Sequence, residues 1–254
     1  MKIVTFNIRC DFGQDGANNF EFRKPLILKR IAEEQPDVIG FQEVLPHVQK
    51  WLRENLTGYT VVGCGRTADY QDEAMTIAVR NETSELLGLE VFWLSPTPYV
   101  PGSRYENQSE CPRTCAMAII KNQDFPGPIR VYNTHLDHIG AQARMKGLSQ
   151  ILRQMEDDSD KLALPSVLMG DFNAYPDSVE LTPINDFVSL GLKDITARIP
   201  LTYHNYHLGQ EETGKIDYIY ITEPFQVKDV RRWEDEENGV YLSDHYPICA
   251  ELTL

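Results

Sequence analysis

The stretch Ser166-Val167-Leu168-Met169-Gly170-Asp171-Phe172-Asn173 places an apolar run directly before a carboxylate and an amide. A short apolar run bounded by turn residues is typical of a buried β-strand. We therefore predict a strand over Ser166–Met169, with Asp171 and Asn173 just beyond its carboxyl end. A buried charge is costly unless it is paired or bound to a metal, so one such strand end is unremarkable but several of them together indicate a functional site.

The same kind of apolar run recurs along the chain. Strands are also predicted over Lys2–Ile8, Val38–Gln42, Met75–Val79, Leu89–Leu94, Cys115–Ile120, Ile129–Thr134, Ile216–Ile221 and Ile248–Leu252. Apolar residues at helical spacing predict helices around Leu26–Ile31, over Leu148–Met155 and near Ile184–Leu190, where Gly191 is the predicted C-cap. The polar segment Ser95–Pro112 is predicted to be a long loop, and a loop of that length in a compact fold is usually functional or mobile.

Most of these strands end in, or contain, a side chain that can do chemistry. The residues in question are Asn7, Glu43, His135, Asp171, Asn173, Asp217, Asp244 and His245. If they converge, their carboxylate and amide oxygens favour a hard cation, Mg²⁺, Mn²⁺ or Ca²⁺. A metal of this kind beside two imidazoles suits phosphoryl chemistry, because the metal neutralises phosphate while a base and an acid handle protons.

Composition limits the classes of protein that fit. The chain has 254 residues, which we interpret as one domain over residues 1–254, and a net charge of −14. That charge disfavours tight nucleic-acid binding, which depends on Lys and Arg. The five cysteines are irregularly spaced, so we expect free thiols, and without a signal-peptide pattern or membrane-spanning apolar run we expect a cytoplasmic protein. No protein partner is predicted, and the acidic run Glu234–Glu237 is interpreted as a solvated hairpin tip.

Six stretches together resemble the endonuclease/exonuclease/phosphatase superfamily, whose members include DNase I-like nucleases, abasic-site endonucleases, neutral sphingomyelinases, inositol polyphosphate 5-phosphatases and deadenylases. Each stretch is weak alone, but they occur in the family's order and span nearly the whole chain. They are Thr5-Phe6-Asn7, Pro36-Asp37-Val38-Ile39-Gly40-Phe41-Gln42-Glu43, Asn133-Thr134-His135-Leu136-Asp137-His138, Gly170-Asp171-Phe172-Asn173, Lys215-Ile216-Asp217-Tyr218-Ile219 and Ser243-Asp244-His245-Tyr246-Pro247-Ile248.

The resemblance implies an α/β fold: a four-layer α/β sandwich in which two mostly antiparallel β-sheets pack face to face and are flanked by helices. It also implies an active site at one rim. Glu43 would be the principal metal ligand, with Asn7 and Asp244 close to the metal or its waters. Asp171 would orient or activate the attacking water, and Asn173 would hold that water or a phosphate oxygen.

The same resemblance implies two imidazoles beside the scissile phosphate. One is His245, supported by Asp217, and the other is His135, supported by Glu73. In each pair the carboxylate would fix the tautomer and stabilise the imidazolium.

Arg113 and His204 are the predicted substrate contacts. They rest on a loop pattern and a Thr-x-His pattern that resemble those of compact family members, and Arg113 would hold phosphate through two N–H groups.

The resemblance implies hydrolysis of a phosphate ester or diester by in-line attack of water. The reaction would depend on Mg²⁺, with Mn²⁺ as the alternative metal. A small or lipid-like phosphodiester, or a sugar or inositol phosphate, is the favoured substrate. Alternatives are a DNA or RNA nuclease and a catalytically inactive binding protein on the same fold.

Overall fold

Two six-stranded β-sheets form the centre of the structure, a computed structural model that describes residues 1–208 and 213–254. The strands are β1 Lys2–Asn7, β2 Val38–Val44, β3 Tyr59–Val62, β4 Ala74–Arg80, β5 Ser84–Trp93, β6 Thr114–Asn122, β7 Pro128–His135, β8 Ser166–Asp171, β9 Lys193–Asp194, β10 Asp217–Ile221, β11 Gln226–Arg232, β12 Glu236–Glu237, β13 Val240–Tyr241 and β14 Ile248–Thr253. The helices are α1 Phe20–Glu34, α2 Pro46–Asn55, α3 Ala141–Lys161 and α4 Pro183–Asp186.

Each sheet is antiparallel except for one parallel pair near its middle. The first sheet has the order β11-β14-β1-β2-β4-β3, and the second has β5-β6-β7-β8-β10-β9. The parallel pairs are β1 with β2 and β7 with β8. A helix connects the strands of each pair, α1 in the first sheet and α3 in the second. Each sheet therefore contains one parallel pair of strands connected by a helix. The carboxyl ends of the two strands in each pair lie side by side.

Alternating side chains of the strands build three apolar layers. Between the sheets, residues such as Ile3 and Ile77 of the first sheet pack against Val131 and Val167 of the second. A second cluster lies between the first sheet and α1 and α2, and a third lies between the second sheet and α3. The order helix, sheet, sheet, helix is the predicted four-layer sandwich, and the prediction is confirmed.

The predicted strands are all present, with small changes at their ends. The helix predicted near Ile184–Leu190 is instead the single turn α4 followed by a 3₁₀ turn, and Gly191 ends that turn with φ 57° as expected. The acidic run Glu234–Glu237, expected at the tip of a hairpin, instead ends in strand β12, and Asn238 and Gly239 form the tip of the β12–β13 hairpin. The sequence interpretation did not find α2, β3 or β11. Strand β11 is largely exposed and polar, so it lacks the apolar pattern that identified the others.

The segment Ser95–Pro112 is a loop, as predicted, with neither helix nor strand between Trp93 and Thr114. All five cysteines are free thiols, which agrees with the expectation from their spacing. Within the part of the chain that the structure describes, no helix combines the length and apolar character needed to cross a membrane.

Candidate active site

The predicted polar residues meet at one rim of the sandwich. Asn7 and Glu43 lie at the carboxyl ends of β1 and β2, and His135 and Asp171 lie at the carboxyl ends of β7 and β8. The antiparallel neighbours bring their amino-terminal ends to the same rim, because Asp217 is paired with Asp171 and Ile248 of β14 is paired with Thr5 of β1. The resulting cleft has a volume of about 380 Å³. Predicted residues that line it are Glu43, Glu73, Arg113, His135, Asp171, Asn173, Asp244 and His245.

Unusual backbone conformations aim several of these side chains. Glu43 has φ 62° within an irregularity of the β2–β4 pairing, Arg9 has φ 63°, and Asn173 has φ 48°. A bulge re-aims a strand side chain, and left-handed conformations cost free energy in residues other than glycine. Three residues in strained conformations therefore lie at the rim. Gly170, directly before Asp171, has φ 147°, and a Cβ there would lie 1.9 Å from the carbonyl oxygen of Thr134. Only glycine fits at that position.

The side-chain amide of Asn7 connects the carboxylates of the two sheets. Its Nδ2 donates to Glu43 Oε1 at 2.9 Å and to Asp171 Oδ2 at 3.0 Å. Its Oδ1 accepts from the backbone N–H of Arg9 at 3.0 Å, which fixes the orientation of the amide. In this arrangement the NH₂ group of Asn7 orients the two carboxylates, while its side-chain oxygen accepts from the backbone N–H of Arg9. The backbone N–H of Cys10 holds the other oxygen of Glu43 at 2.7 Å.

Asp217 and His245 form the predicted carboxylate–imidazole pair. Asp217 Oδ2 lies 2.8 Å from His245 Nδ1, and both residues are buried. Burial alone would lower the pKa of His245, but the charges of Asp217, Asp171 and Asp244 and the hydrogen bond to Asp217 raise it to about 10. The imidazole is therefore protonated at neutral pH. Its Nε2 lies 3.8 Å from Asp171 Oδ2, so the pair is aimed at the cleft.

His135 lies on the other side of Asp171 in a different electrostatic environment. Its Nε2 is 2.9 Å from Asn173 Nδ2 and 3.5 Å from Asp171 Oδ2. Burial and the positive charge of Arg113 hold the pKa of His135 well below its ordinary value. A neutral ring can accept the hydrogen bond from the Asn173 amide. The two imidazoles thus differ in charge although they flank one carboxylate.

Glu73 does not support His135 in the way we predicted. Both of its oxygens accept from the guanidinium of Arg66, at 2.7 and 3.0 Å. Across the described residues 1–208 and 213–254, Nδ1 of His135 has no hydrogen-bond partner. The nearby arginine accounts for the difference, because a two-pronged guanidinium–carboxylate pair is stronger than a single bond to a neutral imidazole.

The carboxylates of Glu43 and Asp171 have opposite pKa shifts. Burial would raise the pKa of Glu43, but the hydrogen bond from Asn7, the charge of His245 and the hydrogen bond from the backbone of Cys10 lower it below the ordinary range. Burial and the negative charge of Asp217 raise the pKa of Asp171 to about 7. Glu43 is therefore ionised at neutral pH, and Asp171 lies near the point where it exchanges a proton.

His204 is the predicted site residue that the structure separates from the cleft. Its ring is buried and stacks on Tyr246, with centroids 4.1 Å apart, and on His207, with centroids 4.8 Å apart. The structure therefore does not bring His204 to the cleft, and its contact with substrate stays a prediction. Its neighbour Tyr203 lines the cleft instead, with its ring centroid 4.9 Å from that of His245.

The cleft also contains three basic side chains that are outside the predicted set of site residues. Arg9, Arg66 and His138 all line the cleft. Arg9 pairs with Asp15 and lies 3.4 Å from Asp244 Oδ2, so the predicted metal-side carboxylate Asp244 already has a cationic neighbour. His138 does belong to the stretch Asn133–His138 that resembles the family, but no sequence pattern distinguishes Arg9 and Arg66 from arginines on the surface.

Two groups of side chains have the spacing of a metal site. One is Glu43, His135 and Asp171, and the other is Asp171, Asp217 and His245, with the candidate ligand atoms of each group within 4.8 Å of one another. In the second group Asp217 and His245 bond to each other, whereas in the first group Glu43 and Asp171 accept from Asn7 and His135 lies beside Asn173. Asp171 belongs to both.

The sequence profile of the "Endonuclease/Exonuclease/phosphatase family" matches residues 4–245. The chain belongs to this family. Its fold is that of the DNase I-like members, and the family places it among the phosphoesterases. No curated protein sequence is similar enough to count as a match.

Solved structures of family members superpose over their whole length. An endonuclease/exonuclease/phosphatase protein from Bacteroides vulgatus is 30% identical, with 100% of this chain and 98% of that chain covered and a TM-score of 0.90. The mannosyl-6-phosphatase Bt3783 from Bacteroides thetaiotaomicron is 27% identical, with both chains covered to 100% and a TM-score of 0.88. TDP2 from D. rerio, solved with a single-strand DNA product, is 17% identical with a TM-score of 0.77, over 100% of this chain and 99% of that one, and shares the fold alone.

Proposed function

We propose that this family member is a Mg²⁺-dependent phosphoesterase that hydrolyses a phosphate ester of a sugar or a similar small molecule, with Mn²⁺ as the alternative metal. The observation that carries the proposal is the convergence of Glu43 and Asp171 with two differently charged imidazoles, His135 and His245, in one cleft. Asp171 is 3.5 Å from one ring and 3.8 Å from the other.

The residues present fit a hard divalent cation. Glu43 is ionised, its oxygens are oriented by Asn7 and Cys10, and it lies beside Asp171. Carboxylate oxygens are the ligands that Mg²⁺ takes from proteins, usually one or two of them with water and phosphate. Glu43 would be the principal ligand of the ion, with Asp171 beside it. Asp244, which lies 3.4 Å from Arg9, would be close to the ion or its waters. When bound, the ion would neutralise negative charge on the phosphate.

The protein's own residues divide the proton transfers between them. Asp171, with its pKa raised to about 7, accepts a proton from the attacking water, because a base with a pKa near the working pH is most effective. His245, protonated and fixed by Asp217, donates to the phosphate or to the leaving oxygen. Neutral His135 and the amide of Asn173 hold the water or a phosphate oxygen on the other side of Asp171.

Two features support a small phosphate ester as the substrate. The first is the similarity over the entire length to a protein described as a mannosyl-6-phosphatase. The second is charge, since 38 acidic residues outnumber 24 Lys and Arg, and an acidic surface repels a nucleic-acid backbone. Positive charge is nevertheless present in the cleft itself, which Arg9, Arg66 and Arg113 line.

A panel of phosphate esters tests the proposal. It would contain mannose 6-phosphate, inositol phosphates, sphingomyelin, p-nitrophenyl phosphate, bis-p-nitrophenyl phosphate, RNA, and plasmid and abasic DNA, each with Mg²⁺, with Mn²⁺ and with EDTA. His245→Ala removes the proposed acid. His47→Ala is the matched control, because His47 is exposed and pairs with Asp11 away from the cleft.

Turnover of a sugar phosphate that is lost with EDTA and with His245→Ala, but retained in His47→Ala, would support the proposal. Preferential cleavage of RNA or DNA would favour the nuclease alternative. Binding of Mg²⁺ without hydrolysis of any ester would favour a binding protein on this fold.

A further inference from the structure

Arg113 is a buried cation whose hydrogen-bonding capacity is largely unused. Its side chain is 5% exposed and lines the cleft. Across the described ranges 1–208 and 213–254, neither Nε nor Nη1 has a hydrogen-bond partner, and the nearest carboxylate oxygen, Asp137 Oδ1, is 3.7 Å from Nε. A buried guanidinium with free N–H groups is costly, and an anion that accepts from them offsets the cost. The arrangement suits the oxygens of a phosphate group.

One N–H group of Arg113 does have a partner, and that partner is His138. Nη2 of Arg113 lies 2.8 Å from Nδ1 of His138. A guanidinium can only donate, so Nδ1 must be the acceptor and the imidazole must be neutral with its hydrogen on Nε2. Burial and the adjacent charge of Arg113 lower the pKa of His138, which agrees with that protonation state.

The segment that carries His138 is firmly held. Oδ2 of Asp137 accepts from the backbone N–H groups of Gly140 at 2.7 Å, Ile139 at 3.2 Å and Ser109 at 3.2 Å. At Gly140, a Cβ would lie 2.3 Å from the carbonyl oxygen of Asn107. The turn after β7 is therefore pressed against the long loop before β6. His138 and Arg113, which stand on these two segments, are brought together by that contact.

We propose that His138 is a positioning residue that holds the Arg113 guanidinium in the orientation that binds the substrate phosphate. By occupying Nη2, the imidazole fixes the plane of the guanidinium and leaves Nε and Nη1 for the phosphate. The inference rests on the proposed function, because it takes phosphate as the group that Arg113 binds. His138 acts through Arg113 and takes no part in the proton transfers.

The test compares His138→Ala, His138→Asn, Arg113→Ala and the double variant His138→Ala/Arg113→Ala. The probe is inorganic phosphate, whose affinity is measured calorimetrically with Mg²⁺ present and as competitive inhibition of ester hydrolysis. Asparagine is the conservative variant, because its side-chain oxygen can take the place of Nδ1. His47→Ala again serves as the control on an exposed histidine.

Loss of the hydrogen bond should weaken phosphate binding about tenfold in His138→Ala, a magnitude typical of hydrogen bonds to charged groups. KM should rise by a similar factor while kcat changes much less, and His138→Asn should recover most of the affinity. In the Arg113→Ala background, His138→Ala should not weaken phosphate binding further. His138 is proposed to act only through Arg113, so its replacement has no effect once Arg113 is removed.

Several results would overturn the inference. Unchanged phosphate affinity in His138→Ala is one, and additive losses in the double variant are another, since the second would mean that His138 contacts the ligand by itself. Failure of His138→Asn to recover affinity would also count against it. Calorimetry needs no turnover, so the affinities decide the role of His138 even if no ester on the panel is hydrolysed, an outcome that would contradict the proposed function alone.

Discussion

Asp217 Oδ2 lies 2.8 Å from Nδ1 of His245, and neither side chain has appreciable access to water. The carboxylate fixes the tautomer of the ring and leaves Nε2 facing the cleft. The same contact explains why the pKa of His245 is raised although burial by itself would lower it.

Replacing Asp217 with Asn should lower the pKa of His245 from about 10 toward its ordinary value, because burial is then opposed only by the charges of Asp171 and Asp244. Since the proposed role requires the protonated ring, activity should fall about 10²- to 10⁴-fold at neutral pH. The alkaline limb of the pH–rate profile should move to lower pH. Histidine titration by NMR measures the shift directly. An unchanged alkaline limb with reduced activity would contradict the assignment of His245 as the acid.

Replacing Glu43 with Gln should abolish stabilisation by Mg²⁺. In the wild type, a ligand that binds only the folded state raises the midpoint of thermal unfolding as its concentration increases. Glu43→Gln should show no such rise, and calorimetry should detect no Mg²⁺ binding. Glu54→Gln, which removes an exposed carboxylate on α2, is the control. A normal Mg²⁺ response in Glu43→Gln would mean that another residue is the principal ligand.

Replacing Asn7 with Asp should make folding more dependent on the metal. The change puts a third carboxylate where an NH₂ group now lies 2.9 Å from Glu43 and 3.0 Å from Asp171. Repulsion should lower the unfolding midpoint in EDTA, and Mg²⁺ should raise it by more than in the wild type. Asn81→Asp is a surface control, since its side-chain oxygen still accepts from Thr60. Equal midpoints in EDTA for the wild type and Asn7→Asp would contradict the bridging role of Asn7.

Replacing Gly170 with Ala should destabilise the protein by about 3 kcal/mol or more, a size expected when a forced backbone conformation and a steric clash combine. The new Cβ would meet the carbonyl oxygen of Thr134 at 1.9 Å, within the pairing of β7 and β8. Gly127→Ala is the matched control, because a Cβ there has no heavy atom within 4 Å. Urea unfolding measures both. A loss below about 1 kcal/mol in Gly170→Ala would show that the strands separate easily at this point.

Much of the fold could be predicted because buried strands are recognisable in the sequence as short apolar runs. The polar residues after those runs, such as Glu43, Asp171 and His245, do lie at one rim. Their convergence could not be derived from the runs alone, because it depends on which strands are parallel. That information came from resemblance to a family, and the structure supplies it through the β1–β2 and β7–β8 pairs.

Side-chain partners were harder to predict than strand positions. Glu73 was expected beside His135 but bonds Arg66, and His204 was expected in the cleft but is stacked against Tyr246. Both outcomes depend on rotamers and on competition with residues far away in sequence, for which a single sequence carries no periodic signal. The roles assigned to the individual site residues, and the interpretation of residues 1–254 as one domain, stay predictions.

The bond from Asn7 to Asp171 joins side chains that belong to different sheets. Neither sheet carries a complete set of reactive groups, since the first holds Glu43 and the second holds His135 and Asp171. A small slip of one sheet over the other would separate His245, the proposed acid, from Asp171, the proposed base, while leaving each sheet intact. The proposed activity would therefore depend on the correct alignment of the two sheets. A chain with misaligned sheets would lose that activity before it unfolds.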